Sequence, residues 1–261
     1  MADTPQESTA PNFGANGPDS ASERPKKKSR SFWRELPILI GVALLLSFVL
    51  QTFIARVYLI PSESMEPTLH GCAGCTGDRI LVEKIGYHFG DPEPGDVVVF
   101  KGPDSWNAQW TSTRSSNVVV RGIQEVGSLV GLVPPDENDL VKRVIATGGQ
   151  TVECCDDQGR VLVDGKPLDE PYVVTDFPFV PGRQTCDTPV RSGRCFGPYT
   201  VPEGNLWVMG DNRSNSADSR YHVADELGGT VPIDNVIGKA VAIVLPPSRW
   251  GMIDSPNPQS N

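Results

Sequence analysis

Residues 77–100 read GDRILVEKIGYHFGDPEPGDVVVF, two β-branched runs (RILVEKI and VVVF) separated by a stretch dense in Gly, Asp and Pro. Short apolar runs bounded by turn formers are the pattern of antiparallel strands. The pattern continues outward in VKRVIA (141–146), QTVEC (150–154), GRVLVDG (159–165), GNLWVMG (204–210) and NVIGKAVAIVL (235–245). With 26 Gly and 24 Pro in 261 residues, the body reads as turn-rich and strand-rich rather than as a helical bundle. The length suits one sizeable domain with appendages. The expected fold class is mainly β, an antiparallel β-sheet domain, and no internal repeat or heptad pattern competes with it. One stretch departs from the pattern. From Asn117 to Val133, the residues Val119, Ile123, Val126, Val130 and Val133 form a helical stripe, expected to pack on the domain, with membrane-surface contact as the alternative.

Upstream of the strands, Leu36 to Ala55 (LPILIGVALLLSFVLQTFIA) holds 20 residues without a charge. At about 1.5 Å per residue a helix of that length spans the hydrocarbon of a bilayer. A buried core helix of such length and composition is less common. A cleaved leader would have a shorter apolar core and small residues at its end, unlike Phe53-Ile54-Ala55. Pro37 sits near the start, where a missing N–H costs least. The segment therefore reads as a transmembrane anchor. Arg24, Lys26, Lys27, Lys28, Arg30 and Arg34 precede it, and only Arg56 follows closely. Cytoplasmic flanks carry the excess of basic residues, so the expected topology is single-pass, with the N-terminus cytoplasmic and everything after residue 56 outside. The expected division is a largely disordered tail (1–35) with its basic cluster, the span (36–55), a β-rich domain (56–247) containing an insertion (102–138), and a C-terminal tail (248–261).

Net charge is −9, and residues 1–35 contribute +1, which leaves −10 on positions 36–261. A polyphosphate partner needs a basic face, so no nucleic acid is expected. All six cysteines (Cys72, Cys75, Cys154, Cys155, Cys186, Cys195) fall on the expected outside, where disulfides form. Six cysteines allow 15 pairings. Cys72–Cys75 and a bridge closing the 186–195 loop suit the spacing. One C-x-x-C without a second pair is a weak zinc signal, and no metal or cofactor is expected.

The nucleophile candidates lie just past the span, in PSESMEPTL (61–69). No G-x-S-x-G elbow and no H-E-x-x-H occurs, and His70, His88 and His222 show no spacing that pairs one with a serine. A lysine can activate a serine if burial lowers its pKa from about 10.4. Lys142, between Val141 and Val144, is the candidate; Arg143 stays protonated and cannot be a base. Taken alone, these residues read more readily as turn serines (Ser62, Ser64) and a solvated edge-strand lysine than as a catalytic pair.

Three stretches in order, IPSESMEPTL (60–69), DLVKRVIATGG (139–149) and GDNRSNSADSR (210–220), resemble the motif boxes of bacterial type I signal (leader) peptidases. GDRILVEK (77–84) and GDVVVF (95–100) fit the same order. The resemblance runs from the anchor to about residue 247. HGCAGC and the long 102–138 segment look most like actinobacterial members.

The resemblance implies a β-sheet catalytic domain of the signal-peptidase type, and a serine endopeptidase in the bacterial plasma membrane that removes signal peptides from exported preproteins. Its partners would be those preproteins and the lipid bilayer. The serine before methionine, Ser64, matches the nucleophile, and Lys142 the general base. Ser62 matches an oxyanion donor alongside the Ser64 N–H. Ser216 matches the hydroxyl that orients the lysine. Asp211, Arg143, Asp218 and Arg220 match charged residues that brace the site. Ser214 stands where many relatives carry another residue. Rival readings are a self-cleaving Ser/Lys repressor, which would be soluble with a DNA-binding module, and a tethered binding domain without catalysis.

Overall fold

The computed structural model describes residues 32–72, 75–107, 114–129 and 138–260. Of the expected disordered tail (1–35), residues 1–31, which include the basic residues 24–30, lie outside the described residues, whereas residues 32–35 belong to a helix. The chain divides into two compact units, residues 1–40 and 41–261. Helix α1 (Phe32–Val49) continues through a π-helical turn, Leu50–Ile54. From Glu35 to Ile54 it is long and apolar enough to cross a membrane, and none of these residues is buried. Because the helix starts at Phe32, Pro37 lies inside it rather than in its first turn. The ring removes one amide donor there, and the helix runs on past it.

Among the described residues the second unit has twelve strands: β1 (Ala55–Leu59), β2 (Arg79–Glu83), β3 (Val97–Lys101), β4 (Asp139–Thr147), β5 (Thr151–Cys154), β6 (Val161–Val163), β7 (Lys166–Pro167), β8 (Phe196–Thr200), β9 (Asn205–Met209), β10 (Val231–Pro232), β11 (Val236–Leu245) and β12 (Gly251–Met252). One sheet has the order β1-β2-β11-β3-β4-β9-β10, with β12 on β11; the other has the order β7-β6-β5-β8. The pairings are antiparallel, as expected. All seven quoted β-branched runs form strands. β1, β7, β8, β10 and β12 are additional, short, and in part built from Pro and Gly.

The pleat explains how VVVF serves two cores. Side chains alternate faces along a strand. Val97 and Val99 join Tyr58, Ile60, Met65, Leu69, Ile80 and Val82 on one side, whereas Val98 and Phe100 join Val144, Leu206 and Val208 on the other. A strand with both faces buried belongs in the middle of a sheet. Met65 and Leu69, from the PSESMEPTL turn, are thereby seated in the first of these cores. A third cluster, containing Ile145, Val152, Trp207 and Met209, joins β4 and β9 to the small sheet. Asp164 and Gly165 both have positive φ, 51° and 73°, the type I′ geometry that lets β6 turn into β7 in two residues.

Two expectations are corrected. The stripe helix exists as α2 (Val118–Leu129), with residues 130–137 outside the described set. It does not bury its stripe on the domain: Val119, Ile123 and Val126 are 71%, 68% and 64% exposed. The segment after residue 247 is not a free tail. β12 pairs with β11, and Gln259 Nε2 donates to Ile145 O at 2.9 Å. Ile145 sits at the register shift between β4 and β9, so its carbonyl needs a partner from elsewhere. A tail without hydropathy periodicity carries no sequence signal for such a strap.

Deleting residues 251–261 should lower unfolding stability by about 2 kcal/mol or more, since several buried backbone groups lose partners. Thermal melting of the shortened chain measures this, and an unchanged Tm would contradict it.

Candidate active site

Ser64 sits in a single 3₁₀ turn, Glu63–Met65, and is 9% exposed. Met65 and Leu69 anchor the turn from below, and polar ties fix the loop around it. Asp78, fully buried, accepts from His70 N at 2.7 Å and is paired with Arg249. Ile60 N donates to Asp78 O at 2.8 Å. At Gly71 an added Cβ would lie 2.6–2.8 Å from the backbone of Ile60 and Ser62, so only glycine lets the loop close this tightly. The Cys72–Cys75 bridge closes the same loop.

The turn is held from the opposite side by the segment following β9. Asn212 N donates to Ser64 O at 3.1 Å, Asn212 Nδ2 to Glu63 O at 3.2 Å, and Asn215 Nδ2 to Glu63 Oε2 at 3.1 Å. A Cβ at Gly210 would lie 2.2 Å from Ser216 Oγ and 2.4 Å from Ser64 O, so glycine permits this close approach. Asn212 and Asn215 were not singled out from the sequence, although they lie within the GDNRSNSADSR box.

Lys142 comes from β4, which lies between β3 and β9. It is 4% exposed, so it is no edge-strand lysine. Pairing of β4 on both sides decides this, and local sequence cannot reveal it. Its Nζ lies 2.8 Å from Ser64 Oγ and donates to Val141 O at 3.0 Å. Burial lowers its pKa from 10.5 to about 8, Arg220 adds to the lowering, and Asp218 and Asp211 oppose it. Ser62 Oγ lies 3.2 Å from Ser64 Oγ on the exposed side.

The four bracing residues form two buried pairs. Arg143, on the opposite face of β4 from Lys142, grips Asp211 through Nε to Oδ1 (2.9 Å) and Nη2 to Oδ2 (2.8 Å). Its Nη1 donates to Gly95 O and Asp254 O, and Tyr172 stacks 3.9 Å below the guanidinium. Thr68 Oγ1 donates to Asp211 Oδ2, which ties the pair back to the serine loop. Arg220 binds Asp218 with two contacts of 2.8 Å, and Asp218 also accepts from Gly210 N at 3.0 Å. Burial opposes ionisation of Asp218, but Arg220 outweighs it and holds the carboxyl below its usual range. A third pair, Arg213 with Glu170, is buried beside them and was not anticipated, because Glu170 lies outside the motif boxes.

Ser216 is buried beside Gly210 and its hydroxyl interacts with the Asp218 carboxylate, but no hydrogen bond joins it to Lys142. His70 contacts Glu66, and His222 contacts Asp225 and stacks on Trp106. Among the described side chains no histidine reaches Ser64. The bridges are Cys72–Cys75, Cys154–Cys155 and Cys186–Cys195, which include the two suggested by spacing.

Set against known proteins, residues 33–245 match the family model described as signal peptidase, peptidase S26. Signal peptidase I of Mycobacterium tuberculosis is 54% identical over 259 residues, covering 96% of this chain and 86% of that protein. The probable signal peptidase I of Mycobacterium leprae is 57% identical over 247 residues, covering 90% and 83%. A probable signal peptidase I-1 of Synechocystis is 37% identical over 224 residues, covering 86% and 88%. The chain belongs to the signal peptidase family, peptidase S26, and is a serine peptidase. The mycobacterial identities agree with the actinobacterial character read from HGCAGC and the 102–138 segment.

A buried amine pushed down to about 8 disfavours the folded state whenever it is protonated. The unfolded chain keeps its proton up to 10.5, so stability rises with pH between about 8 and 10.5. Lys142→Met should therefore melt higher than the parent at pH 7, by an amount of the order of 3 kcal/mol. The gap should close as pH climbs through that window. A gap that stays constant with pH would contradict the burial argument.

Proposed function

We propose that this protein is a membrane-anchored Ser/Lys endopeptidase that removes N-terminal signal peptides, at Ala-x-Ala-type sites, from exported preproteins. The observation that carries the reading is the buried Lys142 amine, 2.8 Å from the Ser64 hydroxyl and lowered to a pKa of about 8. In its neutral form Lys142 takes the proton from Ser64 as Ser64 Oγ attacks the scissile carbonyl. The resulting ammonium passes that proton to the leaving amine. Water then attacks the acyl-enzyme with the same lysine as base.

The oxyanion is stabilised by the Ser64 N–H and the Ser62 hydroxyl, which lies on the open side of Ser64. Ser216, buried beside Gly210 and held by the Asp218 carboxylate, orients the amine as the reaction proceeds. Arg143–Asp211 and Asp218–Arg220 set the relative placement of β4, the serine turn and the segment after β9.

The span at 36–55, with its basic N-terminal flank, is the plasma-membrane anchor; the N-terminus is cytoplasmic and the β domain lies outside. Ser64 lies nine positions beyond Ala55, so the nucleophile works within about 30 Å of the membrane. A preprotein held in the bilayer by its apolar signal segment presents its cleavage site at that depth, which raises its local concentration.

Ser64→Ala and Lys142→Met, assayed on a preprotein in detergent, should leave only background cleavage. Ser62→Ala should lower kcat by about 10²–10³ and retain measurable turnover, because one of two oxyanion donors survives. Full processing by Ser64→Ala or Lys142→Met would sink the Ser/Lys mechanism.

A further inference from the structure

Helix α2 is turned the wrong way round for a helix that packs on its own domain. At about 100° per residue, Val118, Val119, Ile123 and Val126 fall within an arc of about 140°, and Gln124 and Ser128 lie opposite. The hydrogen bonds lie on the polar side: one to the segment just before the helix and, through a backbone carbonyl, one to Arg56 on β1. Gln124 Oε1 accepts from Ser115 N at 3.1 Å, and Ser128 O accepts from Arg56 Nη2 at 3.5 Å. The apolar side faces away, with Val118 at 82% exposure and the others close behind. A domain-packed amphipathic helix has the reverse arrangement, and a helix lying on a lipid surface has this one.

The position of α2 identifies what covers it. Its last turn is tied to Arg56, two residues beyond Ile54, where the apolar run ends. Lys84 Nζ donates to the carbonyls of Gln51 and Thr52 at the same level. Cationic side chains gathered at the end of a span mark the membrane–water boundary, where long basic side chains keep their charge in water. On the flank of α2, Arg121 and Glu125 pair at 3.3 Å, so the helix is close to neutral. Apolar contact rather than headgroup charge would then hold it.

We propose that α2 lies in the interfacial layer of the membrane crossed by the anchor, with Val119, Ile123 and Val126 against the acyl chains. The 102–138 insertion thus supplies a second, surface-lying contact with lipid. That contact limits rotation of the β domain about its link to the span, and so holds Ser64 at a fixed depth. The inference rests on the anchor reading and is independent of the Ser/Lys mechanism.

The test uses the full chain carrying Ile123→Trp or, on the other side of the helix, Arg121→Trp, inserted in vesicles of phosphatidylcholine brominated along one acyl chain and recovered by flotation. Relative to unbrominated vesicles, the fluorescence added by Ile123→Trp should fall about twofold, and that added by Arg121→Trp should change little. Equal quenching at both positions, or none at Ile123→Trp in chains that float, would overturn the proposal. Shielding of Ile123→Trp from aqueous iodide without bromine quenching would also overturn it, by showing that protein covers the face. Chains that fail to float would overturn the anchor itself, and the proposal with it.

Discussion

An amine excluded from water and held 2.8 Å from a serine hydroxyl is the contact on which the rest of this structure depends. Charging a buried amine is unfavourable, and that cost moves Lys142 toward neutrality near working pH. The same cost limits the ways the site can be built. The lysine must come from a strand with neighbours on both sides, and β4 between β3 and β9 meets that requirement. The serine must arrive on a turn rigid enough to stay within reach, and the Met65–Leu69 plug together with the ties from Asp78, Asn212 and Asn215 hold it there.

Charge pairing around the lysine follows from the same constraint. Two carboxylates close to Lys142 would favour its protonated form if their charge were not offset. Asp211 is engaged by Arg143 and Asp218 by Arg220, each through two hydrogen bonds. These arginines offset the carboxylates and also link β4, the serine loop, the segment after β9 and the C-terminal strap. Such buried pairs are costly to break, because removing one partner strands the other charge; losses of about 3–5 kcal/mol are usual. The bracing residues are therefore expected to act on fold and lysine pKa together.

The strand runs were legible because both signals are local. β-branched residues bounded by Gly, Asp and Pro mark β2, β3, β4, β5, β6, β9 and β11 without any knowledge of pairing. Ser64 and Lys142 were singled out through three motif boxes in order, and neither would have stood out from residue type alone. What escaped is non-local. Whether Lys142 is central or at an edge depends on β9, which lies some sixty positions away. Glu170 finds Arg213, Arg249 finds Asp78, and Gln259 finds Ile145 O only after the chain has folded. The stripe on α2 was read correctly as helical, but periodicity reports the existence of an apolar face and not the direction in which it points.

The central claim is that a lysine made neutral by burial is the base that activates Ser64. Its most direct test is kcat/KM against pH for cleavage of a preprotein by the full chain. On that claim the neutral amine is the active form, so activity should fall as pH drops through an apparent pKa of about 8. An acid limb near 6.5, the ordinary range of histidine, or the absence of any limb between pH 6 and 10 would contradict the account.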